Sequence, residues 1–245
     1  MPPTRSTPPA LRVLTLAALA WAAYVAARTG VQHLLPAYDQ ASYLEQDAFI
    51  TVLRLACLAF CYWLGRRRYS REAFLAPPGR PGLSWILGVW LFVAFGVTCF
   101  VQAYAPLTAW NAGSRLLEVV IALVVAANEE VGWRATLFLP LQELFGDAWA
   151  VGLSSLFFTL MHAGYEALIF WPRIVFTALL FAFARLRGVS LRALILIHFA
   201  CDAVQALYQG EGASTNVWNL NLISAGLVGA TAVAVYFLKP RPKAA

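Results

Sequence analysis

Charge is scarce in this sequence. Of 245 residues, 18 are Lys or Arg and 12 are Asp or Glu, or 12% charged, about half the ~25% of an average soluble domain. That shortage excludes an ordinary soluble globule. Cysteine is scarce as well. Cys57, Cys61, Cys99 and Cys201 all fall within apolar stretches, and no CxxC pair occurs, which points to small buried hydrophobes and not to a disulfide framework or metal set. There are three histidines, no HExxH motif, no internal repeat and no low-complexity tract. The net charge of +6 does not imply nucleic acid, because the basic residues gather in short loops between apolar runs, the positive-inside pattern.

What is present is apolar. Hydrophobic residues make up 61% of the chain and mean hydropathy is +0.68, with nine Trp and nine Tyr, suited to many membrane–water interfaces. The composition predicts an all-α integral membrane protein, a bundle of about eight transmembrane helices, each long enough to approach ~30 Å of hydrocarbon. Residues 1–10 are Pro-rich and read as disordered. The apolar run 11–27 behind Arg5 and Arg12 could be a signal peptide, but the topology below needs it as an uncleaved first span. Further spans are expected at 48–64, 83–104, 116–139, 148–163, 170–186, 190–208 and 219–238. The first three spans form an N-terminal unit over 11–110, the next four a core over 115–208, and 219–245 holds the last span and a basic tail.

The loops orient the bundle. Placing Arg66-Arg67-Arg68 and Arg71 in the cytoplasm puts the N-terminus, Arg185, Arg187, Arg192 and the Lys239–Lys243 tail there too. The opposite loops (28–47, 105–115, 164–169 and 209–218) carry Asp39, Glu45, Asp47, Glu166 and Glu211 and few basic residues. Both termini are therefore expected in the cytoplasm of a multi-pass cell-membrane protein.

The stretch Asn128-Glu129-Glu130-Val131-Gly132-Trp133-Arg134 interrupts the fourth apolar run. Charges at such depth cost at least ~2.5–3.5 kcal/mol each on insertion scales, so they usually face a bundle interior where they pair or do chemistry. Glu130 and Arg134 are four apart and share a helix face, which allows an ion pair. Glu129 lies about 100° round the helix, less compensated, and must find partners on other helices. Two of the histidines also lie inside spans. His162 ends Phe158-Thr159-Leu160-Met161-His162, and His198 stands four residues before Asp202 on a shared face. His33, in an expected outer loop, reads as an exposed residue. Glu129, His162, His198 and Asp202 could meet near mid-bilayer, with desolvation favouring neutral or proton-sharing forms. Taken singly, each feature also reads as packing: a hydrogen-bonded core histidine, a helix clamp, a tautomer-fixing aspartate.

In combination they resemble a known family, the CPBP membrane proteases, which include the CAAX-processing endopeptidases and the bacterial "Abi" group tied to bacteriocin processing and immunity. The family pattern is EExxxR, FxxxH and HxxxN or HxxxD on three helices. Here it is matched by Glu129-Glu130 with Arg134, Phe158 with His162, and His198 with Asp202, within residues 115–205. The resemblance implies an intramembrane peptidase of glutamic type. Glu129 would be general base on a water, His162 its helper, and His198 with Asp202 the oxyanion site, while Glu130, Arg134 and Phe158 support them. Asp202 departs from the asparagine of the CAAX endopeptidases, and an ionised carboxylate cannot donate to an oxyanion. The implied partners are the bilayer and a peptide or protein substrate, with no cofactor. Zinc on Glu129, His162 and His198 is a competing reading. A non-catalytic immunity or binding protein of the same fold, or a proton-relay transporter, would put the same residues to different use.

Overall fold

The computed structural model describes residues 9–34, 43–75, 81–102, 112–162, 168–208 and 217–238. Stretch 1–8, linker 76–80, tail 239–245, the core of each expected outer loop and the side chain of Cys99 lie outside the described residues. Nearly all of the described residues are helical, and none lies in a strand. We number the helices α1 (Pro9–Leu34), α2 (Tyr43–Arg68), α3 (Arg71–Leu75), α4 (Pro81–Gln102), α5 (Ala112–Val131), α6 (Phe138–Phe145), α7 (Asp147–Met161), α8 (Trp171–Leu186), α9 (Leu191–Tyr208) and α10 (Val217–Phe237). A π-turn over Gly132–Thr136 joins α5 to α6, and a 3₁₀ turn over Leu168–Phe170 leads into α8.

Each expected span falls on one of the long helices, with one correction. The fourth does not run unbroken from 116 to 139. It ends at Val131, passes into the π-turn, and restarts as the short α6. The Leu137 N–H donates to the Gly132 carbonyl five residues back, at 2.9 Å. Pro140 supplies part of the cause: it has no N–H to return to residue 136, and its ring crowds that carbonyl, so the helix must restart with proline in its first turn. A second, smaller correction concerns His33, which belongs to the last turn of α1 and not to a loop.

Neighbouring helices form a closed circuit: α1–α2–α5–α9–α4–α10–α8–α7–α6 and back to α1. The π-turn touches α1, α2, α6, α7 and α8, so it occupies the middle of this circuit. All five of its residues are buried. Trp133 stacks on Trp21 of α1 with ring centroids 4.3 Å apart, and the Thr136 hydroxyl donates to the Cys61 carbonyl of α2 at 3.0 Å. Between α6 and α7 the chain reverses at Gly146, whose φ of +85° belongs to a region that only glycine enters without strain.

Two helices are long and apolar enough to cross a membrane by length and composition, over Pro9–Val31 and Gln46–Arg68. The apolar stretches Pro81–Ala94, Asp147–Met161 and Asn221–Phe237 are shorter. Buried Arg185 donates to the carbonyls of Ala73 and Phe74, both at 2.8 Å, and Arg187 donates to the Tyr236 carbonyl. These two arginines, which the sequence offers as loop charges, are buried ties between helix ends. Cys57, Cys61 and Cys201 are buried and form no disulfide.

Candidate active site

The site is built around His198, about two turns into α9 and largely enclosed. Its two ring nitrogens face different acids. Nδ1 lies 2.9 Å from Glu130 Oε1, a hydrogen bond in which the ring N–H donates, since a carboxylate only accepts. Nε2 lies 3.4 Å from Asp202 Oδ2 and 3.9 Å from Glu129 Oε2. A doubly protonated ring therefore finds an acceptor on each side. The spacing of His198 and Asp202 on one helix face places that pair together. The consecutive glutamates of α5 reach opposite edges of the same imidazole because adjacent helical residues diverge by about 100°.

Glu130 also faces Arg134. Both side chains are fully buried, with Nε and Oε2 3.9 Å apart, an ion pair without a hydrogen bond. Arg134 is held further by its Nη2–H, which donates to the Ala178 carbonyl of α8 at 3.0 Å. Its guanidinium lies 5.0 Å over the ring of Phe158, at cation–π range. Phe158 is thus a hub. Its ring is also 4.8 Å from that of His162 and 6.4 Å from that of His198. His162 ends α7, and its Nδ1 sits 2.9 Å from the Phe158 carbonyl. A carbonyl cannot donate, so Nδ1 carries the proton and Nε2 is the nitrogen suited to base chemistry.

A cavity of about 110 Å³ connects these groups, lined by Phe158 and His162 of α7, by Arg173, Ile174, Thr177 and Phe181 of α8, by His198, Cys201 and Asp202 of α9, and by Leu91 of α4. Among the sequence candidates, His162, His198 and Asp202 line the cavity. Glu129 approaches the same Nε2, and Glu130, Arg134 and Phe158 form the support behind it. Helix α4 also contributes, so the cavity is not confined to the fourth to seventh spans. Sequence reasoning missed the α8 wall. Arg173, Thr177 and Phe181 recur every four residues, a stripe that would have flagged one helix face. However, an arginine beside Trp171-Pro172 at a span end also reads as an interfacial anchor.

A larger cavity of about 790 Å³ lies between α4 and α9, lined by residues such as Trp85, Gly88, Phe92, Leu196 and Ile197. Among the described residues its wall presents no ionisable side chain, whereas the smaller cavity is lined by His162, Arg173, His198 and Asp202. Among the described residues, no group of three or more His, Cys, Asp or Glu side chains is arranged to hold a metal ion.

Fold and site together define an all-helical bundle with a buried carboxylate–imidazole centre contributed by three of its helices. Residues 111–204, less than half of the chain but all of α5 to the end of the site, match the family model described as type II CAAX prenyl endopeptidase, Rce1-like. The segment that carries the site is therefore similar to the Rce1-like model of the CPBP family, whose members are peptidases. No curated protein and no solved structure matches the chain.

Proposed function

We propose that this chain is a multi-pass endopeptidase of a bacterial cell membrane, with both termini cytoplasmic and a protease core over residues 115–208. The observation that carries the proposal is the clamped His198, its Nδ1 held at 2.9 Å by Glu130 while its Nε2 faces Glu129 and Asp202. The apolar outer surface supports a bilayer setting: Trp85 is 75%, Leu168 76% and Phe237 75% exposed. Large side chains of that kind in such number are out of place in water.

Glu129 is the general base. It takes a proton from a water that His162 helps to orient, and the water oxygen bonds to the scissile carbonyl carbon. Positioned proton transfer of this kind contributes about 10²–10⁴ in rate. The carbonyl oxygen becomes an oxyanion that accepts from His198 Nε2–H, an interaction worth about 2.7–4 kcal/mol where such a donor has been removed. Collapse breaks the C–N bond, and the proton held by Glu129 passes to the leaving amine. No acyl-enzyme forms. Asp202 acts through His198, 3.4 Å away, orienting the ring and balancing its charge. The substrate is a membrane-associated or exported peptide, cut at a C-terminal anchor, sorting signal or leader.

The test is a comparison of N- and C-termini across membrane and exported proteins in cells carrying wild type, Glu129→Ala or His162→Ala. Termini present with wild type and lost with both variants are the expected result, and they name the substrate. Identical termini in all three, with each protein folded and inserted, would turn the assignment towards a non-catalytic binding or immunity protein.

A further inference from the structure

We propose that Tyr24 of α1 is a positioning residue for Glu129, its hydroxyl directed at that carboxylate across the width of one water and held in place by Arg54 of α2. The role rests on the peptidase reading for calling Glu129 a base. Packing sets the register. Leu14 packs against the cluster of Phe138 and Leu141, and further along α1 Trp21 stacks on Trp133 and stands over Gly132. Helix α1 therefore runs antiparallel to the chain from α5 to α6. Three residues beyond Trp21, that register brings Tyr24 level with Glu129, ~4.5 Å further towards the start of α5 at ~1.5 Å per residue. Tyr24 is buried in the same cluster as Val131 and Trp133, and its hydroxyl lies within electrostatic range of Glu129.

The hydroxyl is in hydrogen-bonding contact with the Arg54 guanidinium. An arginine N–H only donates, so the phenol oxygen accepts and its own O–H is left to donate elsewhere. Arg54 is the one charge in the apolar stretch 48–64, and its Nη1–H donates to Asp47 Oδ1 at 2.7 Å and to Thr51 Oγ1 at 3.4 Å. Arg54 and Asp47 belong to one helix, so their pair joins no two helices; it aims the guanidinium at α1. Arg28 adds positive charge on the same side. A chain of polar groups thus runs from Asp47 through Arg54 and Tyr24 towards Glu129, each bond polarising the next. Glu129 has need of such a donor. Its Oε2 faces His198 Nε2 at 3.9 Å, too far for a hydrogen bond, so that approach does not fix the carboxylate. A water bridging from Tyr24 to Oε1 holds it nearly as well as a direct bond and leaves Oε2 for proton transfer.

The experiment uses the full chain in lipid nanodiscs. Tyr24→Phe keeps the ring against Trp21 and removes only the hydroxyl. The carboxylate stretch of Glu129, identified as the infrared bands lost in Glu129→Gln, is expected to shift in Tyr24→Phe. It should shift less in Arg54→Lys, which keeps a charge for Asp47 but loses the planar fork that serves two acceptors. A tyrosine that only packs would leave those bands in place. With a substrate named by the comparison of termini, kcat should fall about tenfold to a hundredfold in Tyr24→Phe, the range for losing one hydrogen bond to a charged group. KM should hold, since the hydroxyl touches no substrate. Unmoved bands in a Tyr24→Phe chain that melts like its parent would overturn the proposal, and so would a loss confined to KM. If Tyr24→Phe does not fold, the bands of Arg54→Lys decide in the same way. Shifted bands in a protein whose wild type cleaves nothing would remove the peptidase reading and leave the link between Tyr24 and Glu129 standing.

Discussion

Glu129 and Glu130 are chain neighbours with identical side chains, yet they face different surroundings. Glu130 is fully buried, bonded to His198 at 2.9 Å and paired with the equally buried Arg134. Glu129 has a side chain 16% exposed, and its approach to His198 is the looser one at 3.9 Å. Removing one partner of a buried ion pair leaves the other charge stranded, at a cost of about 3–5 kcal/mol. Glu130→Ala should therefore lower stability by about that amount, seen as an early melting transition in detergent. Glu129→Ala should melt within about 1 kcal/mol of the parent while losing activity. Equal melting of the two variants would remove the division between supporting and reacting carboxylate. Arg173 illustrates a different limit at this scale: its contribution depends on which helices meet, and a single sequence does not show that.

The π-turn is the element on which the site depends, because it ends the helix carrying both glutamates and lies between five others. Gly132 opens it, and glycine is required there by close approach. A Cβ at that position would stand 2.4 Å from Trp21 Cζ2, and Trp21 cannot swing aside because it is stacked on Trp133 and set edge-on to Tyr24. Gly132→Ala should destabilise by about 1–3 kcal/mol, as overpacking does, and should lower activity by moving Glu129 and Glu130. Gly152 in α7 is the matched control, since a Cβ there meets nothing within 4 Å. Gly152→Ala should stabilise by about 0.5–1 kcal/mol through helix propensity alone. If both variants melt alike, close packing at Trp21 is not what Gly132 provides. The same element bounds what local sequence patterns encode. Hydrophobic runs located most of the long helices to within a few residues, although α1 extends seven residues past the expected end at 27 and α5 stops eight short of 139, and four-residue spacings showed His198 with Asp202 and Glu130 with Arg134. The break after Val131 was only partly legible: Pro140 marks a restart, but nothing charged interrupts 135–139 and the stack on Trp21 joins residues 112 positions apart. The Glu130–His198 bond, across 68 positions, is likewise a product of packing that no local pattern encodes.

For the whole molecule, the deciding property is which way round the bundle sits. Arg185 is tied to Ala73 and Phe74, Arg68 is paired with Glu143 at 2.7 Å, and Arg187 is tied to Tyr236 near the end of α10. These contacts gather the basic run 66–71, the α8–α9 turn and the end of α10 at one pole of the bundle. Arg173, in the first turn of α8, lies at the other, some 18 Å from Arg185 at ~1.5 Å per residue. In the orientation proposed above from positive-inside bias, the basic pole is cytoplasmic, and the Arg173 end of the cavity would face outward, towards exported substrate. Single cysteines introduced into a chain cleared of its own test this in intact cells with a membrane-impermeant maleimide. Leu168→Cys, 76% exposed in the turn before α8, should label without permeabilisation, and Leu238→Cys, 37% exposed beyond α10, only after it. The reverse pattern would place the site mouth in the cytoplasm, where exported leaders and anchors could be reached only before translocation. The substrate would then have to be sought among cytoplasmic-leaflet peptides.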